Sequence, residues 1–557
     1  MTSRRRIALA PILALTLTAA LALAGCGGSS SSSSTSGAGT PAAGTAKGGT
    51  LRAGIVDNPD HLDPALGYTN ESWEIIEATN NGLLTFKKAA GAQGNAIVPD
   101  IAAAMPKISS DGRTYTFKLR DGVMFGAPVN RAVRPSDFKA SIERLFRVDS
   151  GGVGFYTGIQ GAKQYAKTRR GGISGIVADD KANTITFKLA KKDGTFLEYL
   201  AMPFAFALPK GTPSRDISTD ASRRVATGPY QVSSYVPKDH ITLTRNPTFK
   251  SWTKDSPDGN LDKIDVRIGV TPEQAVNEVA NNQLDWYFEQ VAPDRLTEIT
   301  ARYPKQVKNY VRNNTTFFTL NTRRAPLNNV KVRQALNYAV DRGALVKIFG
   351  GQGSATENVV PPGLGSAYHK NGFYPYDLAK AKALVAASGT KGQSVQVWSS
   401  NTDPQPKAAQ YLATVLGSLG YKATVKTLDE GVYYDTVAAQ KTDPQISYND
   451  WNQDYPEASD WVDLLLNGNR ITNVGNNNGS NIDVPALNAK SEAALQMPVG
   501  DARNAQWAQL DAAYMKDHAP LIPFLNRRFP KFSSPKLGGL VFNNTYFELF
   551  PSMTLRQ

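Results

Sequence analysis

Few residues in this chain have types and spacings suited to covalent or metal chemistry. Its four histidines, His61, His240, His369 and His518, stand far apart with no second ligand at helical or turn spacing, and its one cysteine, Cys26, lies near the N-terminus. No zinc site can be built from them. The chain also lacks a G-x-S-x-G nucleophile elbow and a phosphate-cradling G-x-x-x-x-G-K. Neither a metal, a cofactor nor enzymatic turnover is therefore expected, although a carboxylate pair assembled by folding leaves no local signature and stays open. What remains is binding chemistry. Asp454, in Trp451-Asn452-Gln453-Asp454, follows a predicted strand at 445–449. A carboxylate at such a strand end can accept several hydrogen bonds from a cation in a low-dielectric cleft. The segment also admits a structural role, in which Asp454 caps the turn before Pro456 or closes an internal ion pair, and Trp451 fills the core. Trp398, ending a predicted strand at 395–398, is a further pocket candidate by the same strand-end rule.

The first fifty residues read as an export address. Arg4, Arg5 and Arg6 precede an apolar run from Ile7 to Ala24 and the tetrapeptide Leu23-Ala24-Gly25-Cys26. A basic, an apolar and a small-residue segment in that order make a signal peptide over 1–25. The tetrapeptide resembles the lipobox of bacterial lipoproteins, which implies that Cys26 is lipidated and becomes the new N-terminus. An uncleaved membrane helix is the other reading of the run, disfavoured by Pro11 and by Thr16 and Thr18. With Cys26 so used, no disulfide can form. Residues 27–49 are dominated by Ser, Gly, Ala and Thr, too apolar-poor to fold, and as a tether such a segment reaches roughly 25 Å. The formal charge is +14, which loses three arginines with the signal peptide and becomes +11. Basic residues are scattered rather than arranged in a stripe with interleaved aromatics, so nucleic acid is not an expected partner.

The elements that must position a site are legible by period. Tyr115, Phe117 and Leu119 alternate within 114–122, and Ile185, Phe187 and Leu189 within 184–194, predicting two strands of a shared sheet. Ile264, Val266, Ile268 and Val270 predict another strand, followed by a helix over 275–283. Asn328 or Asn329 is placed to cap a helix carrying Val332, Ala335, Leu336 and Ala339, and Asp377 to cap one that Gly389 stops. From 394 to 449 the order is β-α-β-α-β, which demands right-handed crossovers and parallel strands, with Asp450 to Asp454 just beyond the last carboxyl end.

Several motifs together resemble the family 5 extracellular solute-binding proteins, the oligopeptide, dipeptide and nickel class of ABC-importer receptors. They are the Leu62-Asp63-Pro64 turn, VPDIAAAMPKISSDGRTYTFKLRDGVMF (98–125), ATGPYQVSSYVP (226–237) with RNPTF (245–249), FTLNTRRAPLNNVKVRQALNYAVDR (318–342), VVPPG (359–363), YPYDLAKAKALVAASG (374–389) and WNQDYPEAS (451–459). The resemblance implies an α/β, two-lobed, periplasmic-binding-protein-like fold of type II, with mixed sheets, a hinge and a subdomain inserted in the first lobe. Projected here, lobe I is 50–75, 204–269 and 520–557, the insert 76–203 and lobe II 270–519, with hinge crossings near Gly269 and Pro520 to Phe524. It further implies that Asp454 pairs with the α-ammonium of a bound oligopeptide, that Trp451 and Asn452 are pocket neighbours, and that Tyr68, Thr69 and Asn70 contact ligand from the first lobe. ABC permease subunits are the implied partners, at the outer face of the cytoplasmic membrane. An oligosaccharide ligand, or a sensing role, is the alternative. Few histidines and no free thiol speak against nickel.

Overall fold

The computed structural model describes residues 45–556. The expectations for the signal peptide, for Cys26 and for most of the tether lie outside those residues. No described helix is long and apolar enough to cross a membrane.

Alternation builds the three largest sheets. Thr114–Lys118 and Thr184–Lys188 pair antiparallel, Tyr115 opposite Phe187, inside a four-stranded sheet flanked by Lys107–Ile108 and Ile176–Asp179. Their inward residues, Tyr115, Phe117, Ile185 and Phe187, are all buried in the core of the 76–203 region. A five-stranded sheet runs in the order Trp286–Tyr287, Thr50–Ile55, Lys263–Ile268, His240–Arg245, Tyr230–Val236, the first three parallel and the rest antiparallel. The third and largest sheet has the order Val307–Val311, Leu521–Phe532, Asn314–Leu320, Ile446–Asn452, Ser394–Ser400, Lys422–Leu428, with Gly353–Ala355 beside Leu521–Phe532.

The β-α-β-α-β segment forms as expected. Ser394–Ser400 pairs parallel with both Lys422–Leu428 and Ile446–Asn452, while the helix Gln405–Ser418 covers one face. Leu412 and Leu416 of that helix are buried in one core with Val395 and Val397 of the strand it covers, each such side chain contributing about 1.5–3 kcal/mol by burial. The helix starts and stops are as the residue types dictate. Asn329 Oδ1 accepts from the Lys331 amide at 2.9 Å and Asp377 Oδ1 from the Lys380 amide at 2.8 Å. Gly389, at φ +68°, takes the left-handed conformation that ends the Leu378–Ser388 helix.

Two projected boundaries are corrected by strand pairing. Leu521–Phe532 lies between Asn314–Leu320 and Val307–Val311 in the third sheet, so 520–532 belongs with the second lobe. Trp286–Tyr287 pairs with Thr50–Ile55 in the first-lobe sheet, and the Gly269 amide bonds to Ile55 O at 3.0 Å. The chain thus passes between the two sheets after Tyr287, not at Gly269, and again after Phe532, not at Pro520 to Phe524. Sheet membership is decided by partners far away in sequence, which local period does not report.

Candidate ligand-binding cleft

A cavity of about 1000 Å³ lies between the lobes, lined by residues of both. One wall is the start of the helix Asn70–Thr79. Asp60 fixes the chain there: its Oδ2 accepts from the Tyr68 amide at 2.7 Å and the Thr69 amide at 3.3 Å, and its Oδ1 from Thr69 Oγ1 at 3.0 Å. This holds Tyr68 facing the opposite lobe. Its ring stacks on Trp73 at 5.9 Å and meets Phe204 and Trp451 edge-on at 4.9 and 6.0 Å. Ring packing of this kind fixes the hydroxyl in place at little further entropic cost.

The Tyr68 hydroxyl donates to Asp454 Oδ2 at 2.6 Å. Asp454 follows the strand Ile446–Asn452, and its amide donates to Asp460 Oδ2 at 2.8 Å. The same Asp460 accepts from Trp451 Nε1 at 3.2 Å, which orients the indole. Asp454 is only 6% exposed, and among the described residues no cation pairs with it. Burial pushes its carboxyl up to about 7, while the Tyr68 hydrogen bond acts in the opposite direction. Asp460 is raised too, by burial and by the neighbouring Asp454 charge. Asn452 accepts from Asn314 Nδ2 at 3.3 Å and donates to Asn70 Oδ1, in the other lobe, at 3.5 Å.

Six of the seven ligand-site residues expected from sequence therefore meet at one place: Tyr68, Thr69 and Asn70 from the first lobe, Trp451, Asn452 and Asp454 from the second. Trp398 is the exception and is corrected. It lies outside the cavity lining, on the same strand face as Gln396, to whose Oε1 its Nε1 donates at 2.8 Å, and Lys426 Nζ sits 3.7 Å from its ring centroid. Its strand runs on to Ser400, so Trp398 is not at the carboxyl end where ligands sit.

Sequence reasoning missed the charged wall of the cavity. Arg527, Phe529 and Lys531 alternate along Leu521–Phe532 and line it together. Arg527 Nη1 is 3.4 Å from Asp450 Oδ2, and Lys531 Nζ is 3.0 Å from Glu548 Oε1. The period of two was readable in that stretch, but not the face it presents. His61, set aside as an isolated histidine, bridges the lobes: Nδ1 lies 3.1 Å from Asp216 and Nε2 3.8 Å from Asp435 of the helix Glu430–Val437. Burial lowers its pKa, but the two carboxylates outweigh burial and push it up to about 10, so the ring is charged at neutral pH. Among the described residues no group of three or more His, Cys, Asp or Glu side chains is placed to hold a metal ion.

Two α/β lobes closing on a cavity that both of them line define a ligand-capturing protein of the type II periplasmic-binding class. The chain belongs to the bacterial extracellular solute-binding proteins, family 5, whose profile, described as family 5 Middle, matches residues 96–473. It is 27% identical over 518 residues to heme-binding protein A of Haemophilus influenzae, covering 88% of this chain and 89% of that one. It is 27% identical over 406 residues to the dipeptide-binding protein of Escherichia coli, covering 68% and 71%. Among solved structures, clavulanic acid biosynthesis oligopeptide binding protein 2 superposes with a TM-score of 0.80 at 23% identity, over 93% of this chain and 99% of that one. The DppA protein of Helicobacter pylori in complex with the peptide STSA gives 0.78 at 22%, over 92% and 99%. The structural likeness confirms the fold.

Proposed function

We propose that this protein captures oligopeptides between its lobes and hands them to the permease of an ABC importer, without chemical turnover. The observation that carries the reading is Asp454: a buried carboxylate at a strand end, hydrogen-bonded by Tyr68 from the opposite lobe and lacking a cation of its own. A peptide α-ammonium supplies that cation, and in doing so contacts both lobes at once. Relatives named for dipeptides and glutathione, and a neighbour titled as holding a tetrapeptide, support the same class of ligand. A neutral sugar leaves the Asp454 charge unmatched, so the oligosaccharide alternative is not favoured.

Calorimetry with a panel of short peptides tests the reading. Peptides with free amino termini are expected to bind, and their N-acetylated forms to bind at least about 100-fold more weakly, the scale on which an enclosed charge loses its partner. Binding of neutral oligosaccharides alone, with no peptide bound, sinks it.

The proposal includes anchoring through Cys26 at the outer face of the cytoplasmic membrane, with residues 27–49 as the tether. One acyl chain anchors only marginally, so two or more chains on Cys26, or a second membrane contact, are needed. Cys26→Ser is expected to release the protein from the membrane fraction or leave the precursor uncleaved. Unchanged fractionation and mass refute lipidation.

A further inference from the structure

The cavity has a charge balance opposite to that of the chain. The chain is formally +14, yet fourteen residues lining the cavity are Asp or Glu against five Lys or Arg and His61. Three of the five cations are already matched, Arg527 with Asp450, Lys531 with Glu548 and Lys407 with Asp403.

Four of the carboxyl groups form one neighbourhood. Glu71 and Glu74 lie three apart on the helix Asn70–Thr79, one face of which meets the cavity. Glu289 follows the strand Trp286–Tyr287 of the same lobe, and Glu430 opens the helix Glu430–Val437 of the other. Glu71 acts on all three others: its negative charge contributes to raising each of them. Among the described residues none of the four forms an ion pair. Glu74 is 2% exposed and lies against Glu548, whose amide donates to Glu74 Oε1 at 3.5 Å and whose carboxylate adds to burial in raising it; Oε2 of Glu289 and of Glu430 are buried and without a hydrogen-bond partner among the described residues. The other oxygen of Glu289 accepts from the Val56 amide at 2.9 Å, which fixes the group in place. The positive charges of Lys531 and Arg312 act to lower the Glu71 carboxyl and the negative charge of Asp60 to raise it, while Asp450 acts to raise Glu430. Lys531 is committed to Glu548, and Arg312 stacks on Phe529 at 3.7 Å and Phe547 at 4.4 Å.

We propose that Glu71, Glu74, Glu289 and Glu430 form a second cation seat in the cleft, taking the ammonium or guanidinium of a lysine or arginine side chain in the bound peptide. The inference rests on the peptide reading above and narrows it to basic peptides. A metal ion does not fit, because no three of these groups converge as ligands. A side-chain cation on a flexible stem spans a wider arrangement and carries several donors for unpartnered oxygens. Contributions from both lobes mean that the ligand cation also draws the lobes together. Burial sets the charge state of the empty seat. It pushes Glu289 up to about 8 and Glu430 to about 7, and raises Glu71 and Glu74, so that protons occupy the place of the missing cation. A lysine side chain entering lowers those values and displaces protons.

The test compares otherwise identical peptides, all with free amino termini, carrying lysine, arginine, norleucine or citrulline. Lysine and arginine peptides are expected to bind about 10- to 100-fold more tightly than their neutral counterparts, the range for charge-assisted hydrogen bonds in a desolvated site. At pH 7 they should also release protons in excess of the neutral peptides, read from the buffer dependence of the calorimetric heat. Glu289→Gln with Glu430→Gln, checked for an unchanged melting profile, should bring the lysine-to-norleucine ratio close to one. Equal affinity of lysine and norleucine peptides in the wild type overturns the seat while leaving the peptide reading intact. A ratio that persists in the double variant, or spermidine alone binding as tightly as the lysine peptide, also overturns it. If no peptide of the panel binds, both readings fall.

Discussion

Asp454→Asn is expected to weaken binding of free-amino peptides by roughly two to three orders of magnitude. An ammonium buried without its carboxylate loses about 3–5 kcal/mol, and about 1.4 kcal/mol corresponds to each decade of affinity. The enclosure argues for the upper part of that range: Asp454 is 6% exposed, bonded to a Tyr68 whose ring packs on Phe204 and Trp451, and far from the screening that reduces surface pairs. Asn keeps the shape and can still accept from the Tyr68 hydroxyl, so the substitution isolates charge. A pH dependence accompanies it. The empty protein holds the Asp454 carboxyl at about 7, and the ligand ammonium stabilises the ionised form. Affinity in the wild type should therefore rise with pH up to about 7 and then level off until the peptide amine itself loses its proton. In Asp454→Asn that rise should be reduced, leaving the part contributed by other titrating groups. N-acetylated peptides should bind the variant nearly as well as free ones. Full affinity for free peptides in Asp454→Asn removes the residue from the site.

How much of this was legible beforehand follows from which interactions are local. Caps and stops were readable because Asn329, Asp377 and Gly389 act within a few residues of themselves. The parallel strands from Ser394 to Asn452 were readable because β-α-β order restricts handedness. Placement of 521–532 was not, since that strand pairs with residues some two hundred positions earlier. The site divides in the same way. Asp454 carried a signal, its strand-end position together with the family motif, whereas Trp398 shared the position rule and failed because its strand is longer than its apolar run. Glu71, Glu74, Glu289 and Glu430 carried no signal at all: a glutamate in a helix's first turn is ordinary, and only folding shows that three separate chain segments bring these four to one cavity.

The Leu62-Asp63-Pro64 turn yields the second large effect, and it is one of stability. Asp63 is fully buried and receives both arms of Arg144, at 2.8 and 2.6 Å, from the helix Pro135–Arg147. Arg144 also donates to Pro213 O at 2.7 Å and Arg215 O at 2.6 Å, while Asp63 accepts from the amides of Ala65 at 3.0 Å and Ile217 at 3.3 Å. One ion pair thus ties the turn, the 135–147 helix and the 213–217 segment together, with nearly every donor and acceptor satisfied. Asp63→Asn leaves the guanidinium charged and without its counter-ion, and removing one partner of such an enclosed pair costs about 3–5 kcal/mol. Denaturant unfolding should show a lower midpoint with an unchanged slope. Breaking the exposed Arg113–Asp111 pair, whose side chains are 51% and 48% exposed, should leave the midpoint where it was. Because the turn at 62–64 leads directly into Asp60-anchored Tyr68, Asp63→Asn should also loosen the first-lobe wall of the cleft and weaken peptide binding, but by less than Asp454→Asn. A variant with wild-type stability would show that the pair is replaceable by hydrogen bonds alone, and that the motif is held in this chain by something other than the charge at Asp63.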